Sequence, residues 1–347
     1  MVEVREPSGA STRNRKSTSI GLEPISVGAL GRGSQLRSGQ KRWTTILSAA
    51  SLVTCLTGPT QAESKSPTNE PASAKTQLAS RASPTSGGAG TLRVVTYNVA
   101  GLPEGWSNVH PIVNLPLIAG HLAAYDLALI QEDYAYPELL RKNLALPYAS
   151  APFVRGDKLH FGDGLSTFAK LPFAEPSRTA WTSCHGVVDS YFDCLTPKGF
   201  SRTTLVLGDS ASKAVVHVYN VHLDAGWSAA DRSARARQLA QLSEAIRRES
   251  SGQALLVGGD FNLTASERDE LAALESRLGL RDVCTALRCS EPRRIDRFLV
   301  RSSSALELTP TRWSIDARFR DSNGRALSDH LAVAIELRWR AVLPGRL

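Results

Sequence analysis

Apolar residues along this chain fall into short runs of strand length, divided by segments that repeat at helical spacing. Leu92 to Val99 is rich in β-branched residues and predicts a strand that ends near Asn98. Leu115, Ile118, Leu122 and Ala123 recur at the 3.6-residue period and predict a helix from Leu115 to Tyr125. Leu127 to Ile130 reads as a short buried strand closing on Gln131-Glu132, and Pro137 opens a helix to Leu144. Strands follow at Leu165–Phe168, Thr203–Leu207 and Ala214–Leu223. Ser228-Ala229-Ala230-Asp231 is a capping box with Asp in place of Glu, and Leu239, Leu242 and Ile246 continue the helix it opens. The apolar run Ala254 to Val257 ends in Gly258-Gly259-Asp260-Phe261-Asn262. A helix over Ser266–Leu278 and strands at Arg294–Val300 and Leu331–Leu337 complete the pattern. Adjacent strands in two groups, mixed with helices, predict two sheets packed face to face with helices outside.

The pattern also separates folded from unfolded chain. Residues 63–90 are Ser, Ala, Pro, Thr and Gly with almost no large apolar side chains, the composition of a disordered linker. The folded domain is expected at 91–347. Residues 1–62 hold eight Lys and Arg against three Glu, a net +5 of the total of +8. The domain itself is therefore nearly balanced, which weakens a polyanion-binding reading based on charge alone. Lys41-Arg42, the mostly apolar stretch Trp43–Thr57 and the small residues around Ala62 read as a signal peptide cleaved near Ala62. Fifteen residues are short for a membrane span. Secretion or a periplasmic location is the expectation, and the cysteines agree. Cys184 with Cys194 and Cys284 with Cys289 are local pairs suited to disulfides in an exported chain. Zinc held by Cys184, His185 and Cys194 is the alternative, without a CxxC spacing to support it.

Polar residues end one apolar run after another: Asn98, Glu132, His222, Asp260, Asn262, Asp296, Asp329 and His330. A carboxylate at a strand end is ordinarily a turn residue. Eight such positions at one sheet edge would be a site. Glu132, Asn98 and Asp329 offer hard oxygens that suit Mg²⁺, with Mn²⁺ or Ca²⁺ as alternatives. His222 and His330 remain free for proton transfer. Together with the Asp260/Asn262 pair, this set suits attack of water on phosphorus.

Six motifs in order carry a resemblance. They are Thr96-Tyr97-Asn98-Val99-Ala100-Gly101, Gln131-Glu132-Asp133, Asn220-Val221-His222-Leu223, Gly259-Asp260-Phe261-Asn262, Ile295-Asp296-Arg297-Phe298 and Ser328-Asp329-His330. The set resembles the endonuclease/exonuclease/phosphatase superfamily, which includes deoxyribonucleases, inositol-polyphosphate 5-phosphatases and bacterial neutral sphingomyelinases. The resemblance implies a four-layer α/β sandwich. It also implies Glu132 on a catalytic metal with Asn98 beside it and Asp329 assisting. Asp260 and Asn262 would position water and phosphate, His330 oriented by Asp296 would be the base, and His222 would stabilise the transition state.

Three functions remain open. The segment Asp193 to Phe200, ending in Lys198-Gly199-Phe200, resembles sphingomyelinases and favours a phospholipid headgroup with transient membrane contact. The segments around His222 and Asp296 look like deoxyribonuclease versions and favour nucleic acid. Against that, Arg232, Arg235 and Arg237 read as a solvated helix face rather than a phosphate grip. A catalytically inactive binding module is the third reading, and the complete residue set opposes it. A monomer is expected.

Overall fold

The computed structural model describes residues 88–153, 161–187, 193–209 and 213–342. The leader, the cleavage position near Ala62 and linker residues 63–87 lie outside the described residues. In chain order the elements are β1 (Ala89–Asn98), α1 (Pro111–Leu122), β2 (Leu127–Gln131), α2 (Pro137–Lys142), β3 (Tyr148–Ala149) and β4 (Ser166–Ala169). There follow β5 (Ser177–Ala180), β6 (Gly199–Leu207), β7 (Ala214–His222), α3 (Ala229–Glu249), β8 (Ala254–Asp260) and α4 (Arg268–Leu278). The last are β9 (Arg281–Asp282), α5 (Val283–Ala286), β10 (Asp296–Arg301), β11 (Leu306–Ile315) and β12 (Val333–Ala341).

Two six-stranded mixed sheets result, ordered β11-β12-β1-β2-β4-β3 and β5-β6-β7-β8-β10-β9. Leu129, Val218, Leu256, Phe298 and Ile335 fill the space between them. Leu115, Ile118 and Leu122 of α1 pack with Val95, Tyr97 and Ile130 on the outer face of the first sheet. Leu242 and Ile246 of α3 and Leu274 of α4 pack with Leu255 and Val257 on the outer face of the second. This is the expected four-layer α/β sandwich. Each fully buried Leu, Ile or Phe contributes roughly 1.5–3 kcal/mol of transfer free energy.

Local chemistry explains where the sequence pattern and the structure part. Pro111 at the first turn starts α1 four residues before the apolar spacing does, and the helix stops at Leu122, leaving Ala123 and Tyr125 outside. The Ser228–Asp231 capping box is present as read, with both reciprocal bonds made. The ten-residue β11 was not apparent from the pattern, because Pro310 interrupts it. An edge strand tolerates that proline, and the register shifts between Pro310 and Arg312.

Polar bonds, not apolar contacts alone, set the two sheets against each other. The Gln131 amide donates to Asn220 Oδ1 at 2.6 Å. Asn220 Nδ2 donates to the carbonyls of Ile130 at 2.9 Å and Ser166 at 3.2 Å. Gly258 lets the layers close here: a Cβ on it would lie 2.5 Å from the Phe298 ring and 2.9 Å from Leu129. Asn220→Ala removes one of the acceptors of the Gln131 amide and the donor to the Ile130 and Ser166 carbonyls in an apolar interior. We expect a loss of about 1–3 kcal/mol, read as a lower urea midpoint. An unchanged midpoint would show that water replaces the amide at no cost.

Candidate active site

Register brings the site together before any side chain does. β1 and β2 run parallel with Asn98 opposite Gln131, so Glu132 leaves the sheet next to Asn98. β7 and β8 run parallel with His222 opposite Asp260. β10 lies antiparallel on the other side of β8 with Asp296 opposite Asp260. His222, Asp260 and Asp296 therefore form one row across the second sheet, facing Asn98 and Glu132 on the first. Ligand sites in α/β sheets form at such an edge.

The two sheets meet in the side chains. Asn98 Nδ2 donates to Glu132 Oε1 at 3.0 Å and to Asp260 Oδ2 at 3.2 Å. His222 Nε2 lies 3.8 Å from Glu132 Oε1 and 3.6 Å from Asp260 Oδ2. His330 Nδ1 meets Asp296 Oδ1 at 3.0 Å, and its Nε2 lies 3.7 Å from Asp260 Oδ2. Asn262 donates its backbone N–H to Asp260 Oδ1 at 3.0 Å and its amide to the Leu223 carbonyl at 3.0 Å. Seven of the eight candidate residues thus converge. The eighth, Asp329, has an exposed side chain that accepts from Ser328 Oγ at 3.2 Å. It lines a cleft of about 320 Å³ beside His330, Arg293 and Arg294 rather than bonding with Glu132 or Asn98. Its strand-end position is shared with the other seven, and it sits at the rim of the site.

Backbone strain concentrates here. Glu132 and Asn262 are held at φ +57° and +49°, and Ala100 at +48°. Non-glycine residues in that region cost of order 1–3 kcal/mol each and cluster at functional sites.

Electrostatics gives the groups different characters. Burial raises the Asp260 carboxyl to about 6, with Asp296 adding to the rise. Burial opposes charge on His330, but the carboxylates of Asp260 and Asp296 outweigh it and raise the imidazolium to about 10. Burial, then the positive charges of Lys198 and His330, pushes His222 well below its ordinary value, so its ring is neutral. Both His222 nitrogens are buried without a hydrogen-bond partner.

Lys198 also lies at the site, although it does not end an apolar run. It is buried and paired with Asp193 Oδ1. Burial disfavours its charge, but Asp193, Glu132 and Asp260 hold its pKa above the ordinary lysine value. The Lys198-Gly199-Phe200 segment pointed to it. Arg294 also joins the site, donating Nη2 to Asp296 Oδ2 at 2.8 Å.

The donor chemistry fits a hard cation at Glu132. Among the described residues, Asp260, Asp296 and His330 form a cluster of ligand atoms within 4.8 Å of one another. Asp296, however, already has His330 and Arg294 as cationic partners. Glu132 bonds to the neutral Asn98 amide beside the His222 ring, and among the described residues no Lys or Arg pairs with it directly; Lys198 and His330 act on it at longer range. Asn98 fits differently from its sequence expectation. Its Oδ1 accepts from Ala100 N–H at 3.1 Å, which turns the amide nitrogen, not the oxygen, toward the carboxylates. The disulfides Cys184–Cys194 and Cys284–Cys289 are formed, which removes the zinc alternative.

Two mixed sheets, outer helices and a carboxylate–histidine edge define a phosphoesterase-type sandwich. A sequence profile of the Endonuclease/Exonuclease/phosphatase family matches residues 95–330, and the chain belongs to this family. A sphingomyelinase of Mycobacterium tuberculosis is 30% identical over 272 residues, covering 71% of this chain and 52% of that protein. The chain thus spans about half the length of the curated relatives it matches. Beta toxin of Staphylococcus aureus, in a structure with bound magnesium ions, superposes with a TM-score of 0.52 at 17% identity, covering 71% of this chain and 99% of that one. TDP2 of D. rerio, complexed with a single-strand DNA product, gives a TM-score of 0.53 at 19% identity, covering 71% and 98%. At these identities the two structures share the fold.

The His330–Asp296 pair yields a pH test. A raised folded pKa means that the His330 contribution to stability is fully present below about pH 6.5 and is lost as pH rises through about 10. Asp260 acts with the same sense at lower pH: its protonated form is favoured on folding, and that contribution fades as pH rises through about 6. In EDTA-treated protein, Asp296→Asn removes one of the carboxylates that hold the His330 proton, the others being Asp260 and Glu132. NMR titration of the histidines should show the His330 pKa falling. A pKa that stays put would mean that Asp260 and Glu132 set it without Asp296.

Proposed function

We propose that this chain is an exported, divalent-cation-dependent phosphodiesterase of the sphingomyelinase kind, acting on a phospholipid headgroup. The observation that carries the reading is the meeting of Asn98 and Glu132 from one sheet with His222, Asp260 and His330 from the other. Identity to the mycobacterial sphingomyelinase and the buried Lys198–Asp193 pair at this edge favour the lipid. The Lys/Arg-rich leader and the two disulfides support export with cleavage near Ala62, leaving 91–347 as the catalytic domain. The protein is taken to act as a monomer with transient contact to a membrane surface.

Glu132 would hold the cation, with Asp260 beside it and the Asn98 amide steadying both carboxylates. A Mg²⁺ ion held there, or Mn²⁺ or Ca²⁺ in its place, would supply positive charge for a phosphoryl oxygen and would favour the neutral, basic form of His330. The neutral His222 ring has a free N–H to donate to the phosphoryl oxygen. His330 takes the proton of the attacking water at Nε2, while Asp296 fixes its tautomer through Nδ1. Asp260 and Asn262 position the water and the phosphate. A deoxyribonuclease-like reading is favoured by one observation, the guanidinium groups of Arg293 and Arg294 in the cleft beside His330.

Purified protein with Mg²⁺, assayed on sphingomyelin vesicles, plasmid DNA and phosphoinositides, decides among these. We expect turnover of sphingomyelin, abolished by EDTA, and a higher Mg²⁺ requirement in Glu132→Gln. Plasmid nicking would favour the nuclease, full turnover in excess chelator would overturn the cation, and folded protein inert on every substrate would favour a binding module. His330→Ala should lower kcat by ~10²–10⁴-fold, and adding Asp296→Asn should cost little more because the two act as one unit. Near-normal kcat in folded His330→Ala would transfer the base to His222.

A further inference from the structure

His222 poses a problem of placement. Its ring nitrogens have no hydrogen-bond partner in the protein, so no side-chain bond fixes the ring. Its position depends on the backbone that carries it. That backbone leaves β7 at once and enters the loop before α3, just as Asn262 lies in the loop that leaves β8.

Both loops are held by one buried side chain. Arg235, on α3, is 0% exposed although the sequence pattern places it on a solvated face. Its Nη1 donates to the carbonyls of Asp224 at 3.0 Å, Ala225 at 2.9 Å and Gly226 at 2.9 Å. Nε and Nη2 donate to the two carboxylate oxygens of Glu267, each at 2.8 Å. Glu267 in turn accepts the backbone N–H of Thr264 at 3.0 Å and its hydroxyl at 2.9 Å. Asp224 is two residues beyond His222, and Thr264 is two residues beyond Asn262. Between them, Leu223 donates its N–H to the Asp260 carbonyl at 3.0 Å and accepts from Asn262.

We propose that Arg235 and Glu267 are positioning residues, a buried clasp that locks the loop after His222 to the loop after Asn262 and so sets the distance between these two groups. The proposal rests on the reading of His222 and Asn262 given above. Geometry singles the pair out for this task. A planar guanidinium has five donors in a fixed fork, and here all three of its nitrogens bond across two loops. An apolar pair of similar volume would pack α3 against its neighbours with no buried charge to compensate. What such a pair could not do is bond three successive carbonyls and one carboxylate at once.

Two variants separate positioning from folding. Arg235→Lys keeps the charge opposite Glu267 but cannot reach both loops. The double variant Arg235→Met, Glu267→Met removes both charges together, so none is stranded. In each, urea denaturation gives the folded fraction, and the assay on sphingomyelin vesicles with Mg²⁺ gives kcat and KM per folded molecule. We expect kcat to fall by about 10- to 100-fold, the scale of a ~1 Å misplacement, with KM within a few-fold of wild type. Restoring the arginine fork alone, as Arg235 with Glu267→Gln, should recover most of kcat, because the carbonyl bonds return. A second readout needs no turnover: the His222 ring resonances in NMR spectra of the metal-free protein should shift and broaden in both variants. Wild-type kcat with unmoved His222 resonances would overturn the proposal. So would a loss of activity that only tracks the loss of folded protein. Should wild type hydrolyse none of the substrates while the His222 resonances still move, the function reading fails and the clasp stands.

Discussion

The site depends on holding two sheets level at one edge, and the amide of Asn220 is what holds them. Apolar side chains such as Leu129 and Leu256 supply the attraction between the layers, but burial has no direction and permits sliding. Hydrogen bonds from Asn220 to Ile130 and Ser166, and from Gln131 to Asn220, do not. They lie one residue before Glu132 on the first sheet and two before His222 on the second. A slide of one residue would part Asn98 from Asp260, the contact that joins the halves of the site. Gly258 makes the close approach at this level feasible.

With the halves joined, the chemistry follows from an unequal distribution of charge. Asp296 is matched by His330 and Arg294, and Asp193 by Lys198. Glu132 accepts from a neutral amide, and the cations nearest it, Lys198 and His330, are each bonded to another carboxylate. Among the described residues no Lys or Arg pairs with Glu132 directly, which is where a further positive charge fits. His222 stays neutral for a related reason, since burial and the two nearby cations all oppose its protonation. One histidine is driven toward charge and the other away from it within a few ångströms of a shared carboxylate.

Much of this was legible in the sequence because it is local. Apolar runs that stop at Asn98, Glu132, His222 and Asp260 mark strand ends, and strand ends on one edge are neighbours whatever the loops do. The capping box at Ser228 is read from four residues. What was illegible depends on distant partners. Arg235 lies among exposed arginines at helical spacing, and the carbonyls of Asp224–Gly226 together with Glu267, thirty-two positions on, take it inside. Lys198 looks like a turn residue until the fold sets it near His222. Asp329 follows the strand-end rule and sits at the rim, where Ser328 Oγ donates to it. β11 was hidden by Pro310, whose lack of an N–H matters only if a strand lies on both sides.

One pairing has a consequence for timing. β1 lies between β2 and β12, and its antiparallel partner β12 is made more than two hundred residues after it. Asn98, at the end of β1, contacts Asp260 across 162 residues, and its carbonyl accepts from Ser328 across 230. Contacts of such separation form late, since their loop-closure entropy must be met before they contribute. The first half of the chain can thus shape β2, α1 and their packing while β1 still has one open side. Until β12 pairs with β1, the chain has the parts of its site but not the register that brings Asn98 to Asp260.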